Sequence, residues 1–140
     1  MEYKCRIYCA KEKLCELRTF VKKVLDKMHV SERQKNELIL AVDEVCTNVI
    51  VHSHRCDDRH YLELTIKDPT PGALVFEILD YGDGFDIARY EAPTLEEIIK
   101  TKRKGGLGLR LVKKIMDGVE YEYTPKKHTY RLFKKCELTQ

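Results

Sequence analysis

The chain has 140 residues, 43% of them hydrophobic and 35% charged, and its 26 Lys+Arg against 23 Asp+Glu leave a formal charge of +3. A chain of that size removes roughly 68% of its extended surface from water on folding, enough for one domain with a core that needs no covalent staple. The composition excludes disorder, a collagen-like fibre and a small disulfide scaffold.

Apolar runs extend to only three or four residues, as at Val49-Ile50-Val51, and Met1-Glu2-Tyr3-Lys4-Cys5-Arg6 cannot open a secretory h-region. Neither a membrane span nor an export signal is expected. The six cysteines form no C-x-x-C pair, so free thiols in a reducing cytoplasm are the simplest account. Charge is uneven: residues 1–99 carry 14 basic and 19 acidic side chains, residues 100–140 carry 12 and 4. The basic C-terminal third seeks anions. Its Lys and Arg are not interleaved with aromatics as a nucleic-acid stacking platform would be, and a phosphate-bearing small molecule suits the pattern at least as well.

Tyr3 to Ala10 alternates loosely and predicts a strand. From Lys11 to Met28, Leu14, Leu17, Val21, Val24, Leu25 and Met28 recur at three- and four-residue steps, which predicts an amphipathic helix. Ser31 with Gln34 three residues on predicts a capping box opening a second helix, whose stripe is Leu38, Val42, Val45 and Val49 and which runs to about His52. Tyr61 to Lys67 and Leu74 to Asp80 read as an antiparallel hairpin turned at Asp68-Pro69-Thr70-Pro71-Gly72. Residues 85–104 lack a strong period, apart from a capping pair at Thr94 and Glu97, and read as a long mobile loop. A helix of about ten residues follows Gly105-Gly106-Leu107-Gly108 and ends near Asp117-Gly118. Val119 to Thr124 and Thr129 to Lys135 are the last two strands. The order β-α-α-β-β-α-β-β predicts an α+β two-layer sandwich, one mixed, mostly antiparallel sheet with helices on one face.

Three motifs carry chemistry. In the second helix Glu44 and Asn48 stand four apart and share a face. The Asn48 amide oxygen can ligate Mg²⁺ and the Glu44 carboxylate can take a proton from a nucleophile, or both can simply hydrogen-bond the surface end of the helix. Asp80-Tyr81-Gly82-Asp83-Gly84 places an acid at a strand end with glycines that admit close backbone approach; in isolation the same string reads as a turn, and its spacing does not fit a calcium loop. Lys104-Gly105-Gly106-Leu107-Gly108-Leu109 opens into a helix whose free N–H groups suit phosphate, with Lys100, Lys102 and Arg103 adding charge; the alternative is a hinge with a solvated basic face. Neither the P-loop nor the dinucleotide fingerprint is present. His52, His54, Cys56 and His60 offer zinc-type side chains without the usual ligand spacing.

In this order and spacing the three motifs, with His52 one turn beyond Asn48 and Val112 and Met116-Asp117 after the glycines, make the sequence resemble the GHKL ATPases of the Bergerat fold. Within them it looks most like the short anti-sigma-factor serine/threonine kinases of bacterial partner-switching systems, and the likeness covers essentially the whole chain. The resemblance implies that Glu44 is the general base, Asn48 the Mg²⁺ ligand, and Asp80 the acceptor for the adenine amino group, with Gly82 and Gly84 shaping the pocket. It implies that Gly105, Gly106, Leu107, Gly108 and Leu109 wrap the ATP phosphates, that residues 85–104 are the nucleotide lid, and that Thr129 assists at the adenine. Lys104 stands where some relatives have Arg, so a γ-phosphate role would rest on a lysine there. The implied function is ATP-dependent phosphorylation of a STAS-domain anti-anti-sigma factor by a cytoplasmic protein that also binds a sigma factor or other regulator. Homodimerisation is expected by resemblance, and neither nucleic acid nor membrane is an expected partner. The competing reading is a non-catalytic, ATP-gated binding module, for which a retained base at Glu44 has no use.

Overall fold

The computed structural model describes residues 1–50, 61–80, 106–124 and 127–138. Strand β1 (Glu2–Tyr8) leads through a short 3-10 turn (Lys11–Lys13) into helix α1 (Leu14–Lys27) and helix α2 (Glu32–Asn48). The hairpin β2 (Tyr61–Thr70) and β3 (Ala73–Asp80) follows, then helix α3 (Gly106–Ile115) and strands β4 (Gly118–Thr124) and β5 (Lys127–Lys135). The five strands form one sheet in the order β1-β2-β3-β5-β4, every pairing antiparallel. The fold is the predicted α+β arrangement; the one crossover seats β5 between β3 and β4.

Strand alternation sorts the two faces. Leu62, Leu64 and Ile66 of β2, Leu74, Phe76 and Ile78 of β3, and Tyr130 and Leu132 of β5 are buried in one cluster with Leu17, Val21, Leu25, Leu38, Val42 and Val45 of the first two helices. This is the inner, helix-covered face. The outer face carries charge: Arg131 pairs with Glu77 at 2.9 Å and with Glu122 at 2.6 Å, and Arg6 with Glu63 at 3.3 Å. Arg131 holds Glu122 below the ordinary carboxylate range.

Local details follow from residue chemistry. β2 runs three residues beyond the expected Lys67, because a register shift between Lys67 and Thr70 absorbs Pro69, which has no N–H for a regular ladder. Ser31 caps α2 by accepting from the Gln34 N–H at 3.4 Å. The return half of the expected capping box goes elsewhere: Glu137 N–H donates to Gln34 Oε1 at 2.8 Å, and Ser31 N–H donates to the Glu137 carbonyl. Beside this cap the buried Lys35 ammonium lies 2.6 Å from both Asp26 and Glu32, which raise its pKa.

The β2–β3 turn requires glycine at position 72. Gly72 has φ +84°, its carbonyl accepts from Cys136 N–H at 2.7 Å, and a Cβ there would sit 2.8 Å from the Cys136 carbonyl oxygen. Both the left-handed backbone and the backbone clash oppose any side chain. Gly72→Ala is expected to destabilise the fold by about 1–3 kcal/mol, read as a lowered urea midpoint with an unchanged m-value. A midpoint equal to that of the parent chain would contradict this account of the turn.

Candidate functional site

The anchors of the helices decide which ends meet. α2 begins beside Glu137, just past the end of β5, and at 17 residues it is about 25 Å long. β3, at 8 residues, is about 26 Å long, so α2 has the length to reach the opposite end of the sheet, where β3 finishes at Asp80. α3 is fixed the same way: Lys134 Nζ donates to the Ile115 carbonyl and Asp117 N–H to the Phe133 carbonyl, holding its C-terminus at the β5 end. Its glycine-bearing start is therefore directed away from that end. α3 packs against α2.

Near the C-terminal end of α2, two adjacent acids have different surroundings. Asp43 accepts from Arg18 at 3.0 Å, and its carbonyl accepts from the Thr47 hydroxyl. Glu44, one residue on, is half-buried and has no ion pair or hydrogen bond among the described residues. One turn further, Asn48 buries its Nδ2, which has no hydrogen-bond partner among the described residues. The helix then widens at Val49-Ile50 into a π-type turn, a feature that recurs at functional sites.

Asp80 is 0% exposed at the end of β3, on the inner face with Ile78, Phe76 and Leu74. The first turn of α3 is Gly106-Leu107-Gly108-Leu109; it contains no acid, and Lys113 and Lys114 lie in the last turn. Its backbone N–H groups form the positive end of the helix. Among the described residues no three His, Cys, Asp or Glu gather as a metal cluster.

The register places Thr129. It pairs with Leu79 and Glu122, one position out of step with Asp80, so the pleat puts it on the outer face, away from the Asp80 side. The residue opposite Asp80 is His128, which is 2% exposed. Residue spacing alone did not single it out; the signal was pairing register, which needs the strand partner. Gly82, Gly84, Lys104, Gly105 and His52 lie outside the described residues. So do the 85–104 segment, with its capping pair, and the His54, Cys56 and His60 cluster.

The histidine kinase-like ATPase domain family matches residues 9–134, nearly the full length. The chain belongs to that family. Within it the chain is similar to the serine-protein kinase RsbW of Bacillus licheniformis, 29% identical over 104 residues that make up 71% of this chain and 64% of the relative. It is also similar to the serine/threonine-protein kinase BtrW of Bordetella bronchiseptica, 27% identical over 92 residues, 66% of this chain and 64% of that protein. The chain thus spans just under two thirds of the relatives' length. The RsbU and RsbW domains of a Mycobacterium tuberculosis protein superpose with TM-score 0.70 at 10% identity, over 97% of this chain and 32% of that one. SiaB–SiaC from Pseudomonas aeruginosa gives TM-score 0.65 at 12% identity, over 94% of this chain and 88% of the other. These two likenesses show the fold.

Cys46 stands between Glu44 and Asn48 on α2. It is fully buried, and burial, reinforced by Asp43, raises its thiol pKa well above 9.0; burial pushes Cys136 up to about 11. A folded-state pKa above the unfolded value stabilises the fold fully below pH 9 and is lost as pH rises towards 11. Melting temperature is therefore expected to fall from pH 9 to 11, and to fall less steeply in Cys46→Ala. At pH 8, iodoacetamide should modify the exposed Cys15 while sparing Cys46. Rapid labelling of Cys46 in the folded chain, read by peptide mass spectrometry, would refute its burial.

Proposed function

We propose that this chain is an ATP-dependent protein serine/threonine kinase and anti-sigma factor of a bacterial partner-switching system. Its substrate is a hydroxyl of a STAS-domain anti-anti-sigma factor, and its other partner is a sigma factor or other regulator. The observation that carries the reading is a fully buried carboxylate, Asp80, at the sheet end that the Glu44–Asn48 turn of α2 has the length to reach. Membership of an ATPase family and likeness to relatives named as serine-protein kinases support it.

Each residue has a chemical task. Asp80 accepts a hydrogen bond from the adenine amino group, with Gly82 and Gly84 shaping the pocket. The N–H groups opening α3 and the Lys104–Leu109 segment take the phosphate oxygens. Asn48 fits a Mg²⁺ ligand: its half-buried carboxamide offers an oxygen, and no described residue occupies its nitrogen. Bound there, the ion supplies neutralising charge at the phosphates. Glu44 accepts the proton of the attacking hydroxyl as the new P–O bond forms and the bond to the β-phosphate oxygen breaks, releasing ADP. Most of the rate comes from holding these groups in line.

Asp80→Asn replaces an acceptor by an amide N–H₂ facing the adenine amino group and should weaken ATP binding in isothermal titration at least tenfold. Glu44→Gln should leave ATP affinity nearly unchanged yet lower phosphoryl transfer from γ-labelled ATP to a STAS-domain partner by roughly 10²–10⁴-fold. Undiminished transfer by Glu44→Gln would defeat the base assignment. ATP-dependent partner binding with no transfer by the parent chain would favour a binding module.

A further inference from the structure

The outward face of α2 carries an apolar side chain one turn before Glu44. Among the described residues the exposed large hydrophobic side chains are Met1, Tyr8, Leu40 and Leu138, and of these only Leu40 belongs to a helix, where it is 44% exposed. One exposed leucine says little by itself, since folded surfaces hold much apolar area. Its position says more. Leu40 stands four residues before Glu44, so the two share a face of the helix. Cα–Cβ bonds in a helix tilt towards its N-terminus, so the Glu44 side chain sets out towards the turn that carries Leu40.

The charges around Leu40 are compensated. The positions that border it at three- and four-residue steps are Asn36, Glu37, Asp43 and Glu44. Asn36 is uncharged, Glu37 lies 3.3 Å from Arg33 and Asp43 3.0 Å from Arg18, whereas Glu44 has no ion pair among the described residues. An apolar centre within a polar rim is the anatomy of a docking patch. A hydroxyl presented to Glu44 must come within about 3 Å of its carboxylate, and the chain that carries the hydroxyl then passes over the neighbouring turn. The step back to Leu40 is about 6 Å of helix rise, which two residues of extended chain or one turn of helix also cover. We propose that Leu40 is a specificity residue of the phosphoryl transfer, packing against an apolar side chain of the protein substrate that lies about two to four residues from the acceptor hydroxyl. The inference rests on the reading of Glu44 as the base and deepens it, since it adds a contact made with the protein substrate and not with ATP. It selects acceptors that have an apolar neighbour and rejects those with a charge on that side, which would have to lose water against a leucine.

The test is steady-state transfer from γ-labelled ATP to a STAS-domain protein that the parent chain phosphorylates, with ATP binding measured separately by calorimetry. Leu40→Asp should raise the KM for the STAS-domain protein about tenfold or more while leaving ATP affinity unchanged and kcat within about twofold; Leu40→Met should keep the parent KM. Glu44→Gln should show the opposite split, a lowered kcat with KM little changed. A benzophenone side chain placed at position 40 should cross-link, on irradiation, to the partner peptide that bears the acceptor hydroxyl. Leu40 lies outside the core, and melting temperature reports whether each variant is folded. If Glu44→Gln loses transfer while folded Leu40→Asp keeps the parent's KM, or the cross-links fall only on peptides remote from the acceptor, the docking contact is wrong and the base reading stands. Weakened self-association of Leu40→Asp in analytical ultracentrifugation, with KM unchanged, assigns the face to a second copy of the chain and overturns the contact as well. If Glu44→Gln transfers like the parent, or the parent transfers to no STAS-domain protein, the kinase reading fails and the inference fails with it.

Discussion

The pairing of β3 with β5 is the constraint on which the rest depends. These strands are separated in sequence by α3 and β4, and their eight paired positions run from Ala73 opposite Lys135 to Asp80 opposite His128. One end of the ladder places the segment that caps α2; the other places the buried carboxylate. A slip of a single residue would exchange the faces of the strand that moved, putting Asp80 among the outer charges if it were β3 or Arg131 in the core if it were β5. The register is held from both sides. Phe76 and Leu132 oppose each other on the apolar face, and Glu77 meets Arg131 on the other.

The two faces contribute differently. On the inner face the helices cover a continuous apolar cluster, and area removed from water is the main stabilising quantity. The outer ion pairs are partly exposed, where such pairs contribute little net stability. Their use is specification, since Arg131 with Glu77, Glu120 and Glu122 ties three neighbouring strands into one alignment.

Much of the fold was legible in the sequence because its signals are local. The three- and four-residue spacing of Leu14, Leu17, Val21 and Val24 marks α1, and the strict alternation of Leu62, Leu64 and Ile66 marks β2. What was not legible is non-local. Gln34 reads as half of a capping box, yet its acceptor serves Glu137, more than a hundred residues away. Pro69 reads as part of a turn, yet β2 carries it in a bulge because the ladder resumes at Thr70. The same limit applies at the site. Glu44 and Asn48 are one helical turn apart, so their common face follows from spacing, and Asp80 is marked by its place at a strand end. Thr129 and His128 are neighbours that differ only in face, and only the strand opposite tells them apart.

The joint between α2 and the last described residues has a consequence for how the protein is made. Glu137 closes the first turn of α2 by two bonds, its N–H donating to the Gln34 side chain and its carbonyl accepting from Ser31 N–H, and Leu138 bridges Val30 across a separation of more than a hundred residues. A chain emerging vectorially can form the amphipathic helices and the β2–β3 hairpin early, because those contacts are near in sequence. It cannot complete the cap of α2, or seat β5 between β3 and β4, until residues 127–138 have left the ribosome. Until then β3 presents an unpaired edge and the inner face of the sheet is short of its Tyr130 and Leu132 layer. This is the kind of exposed edge that a nascent-chain chaperone shields.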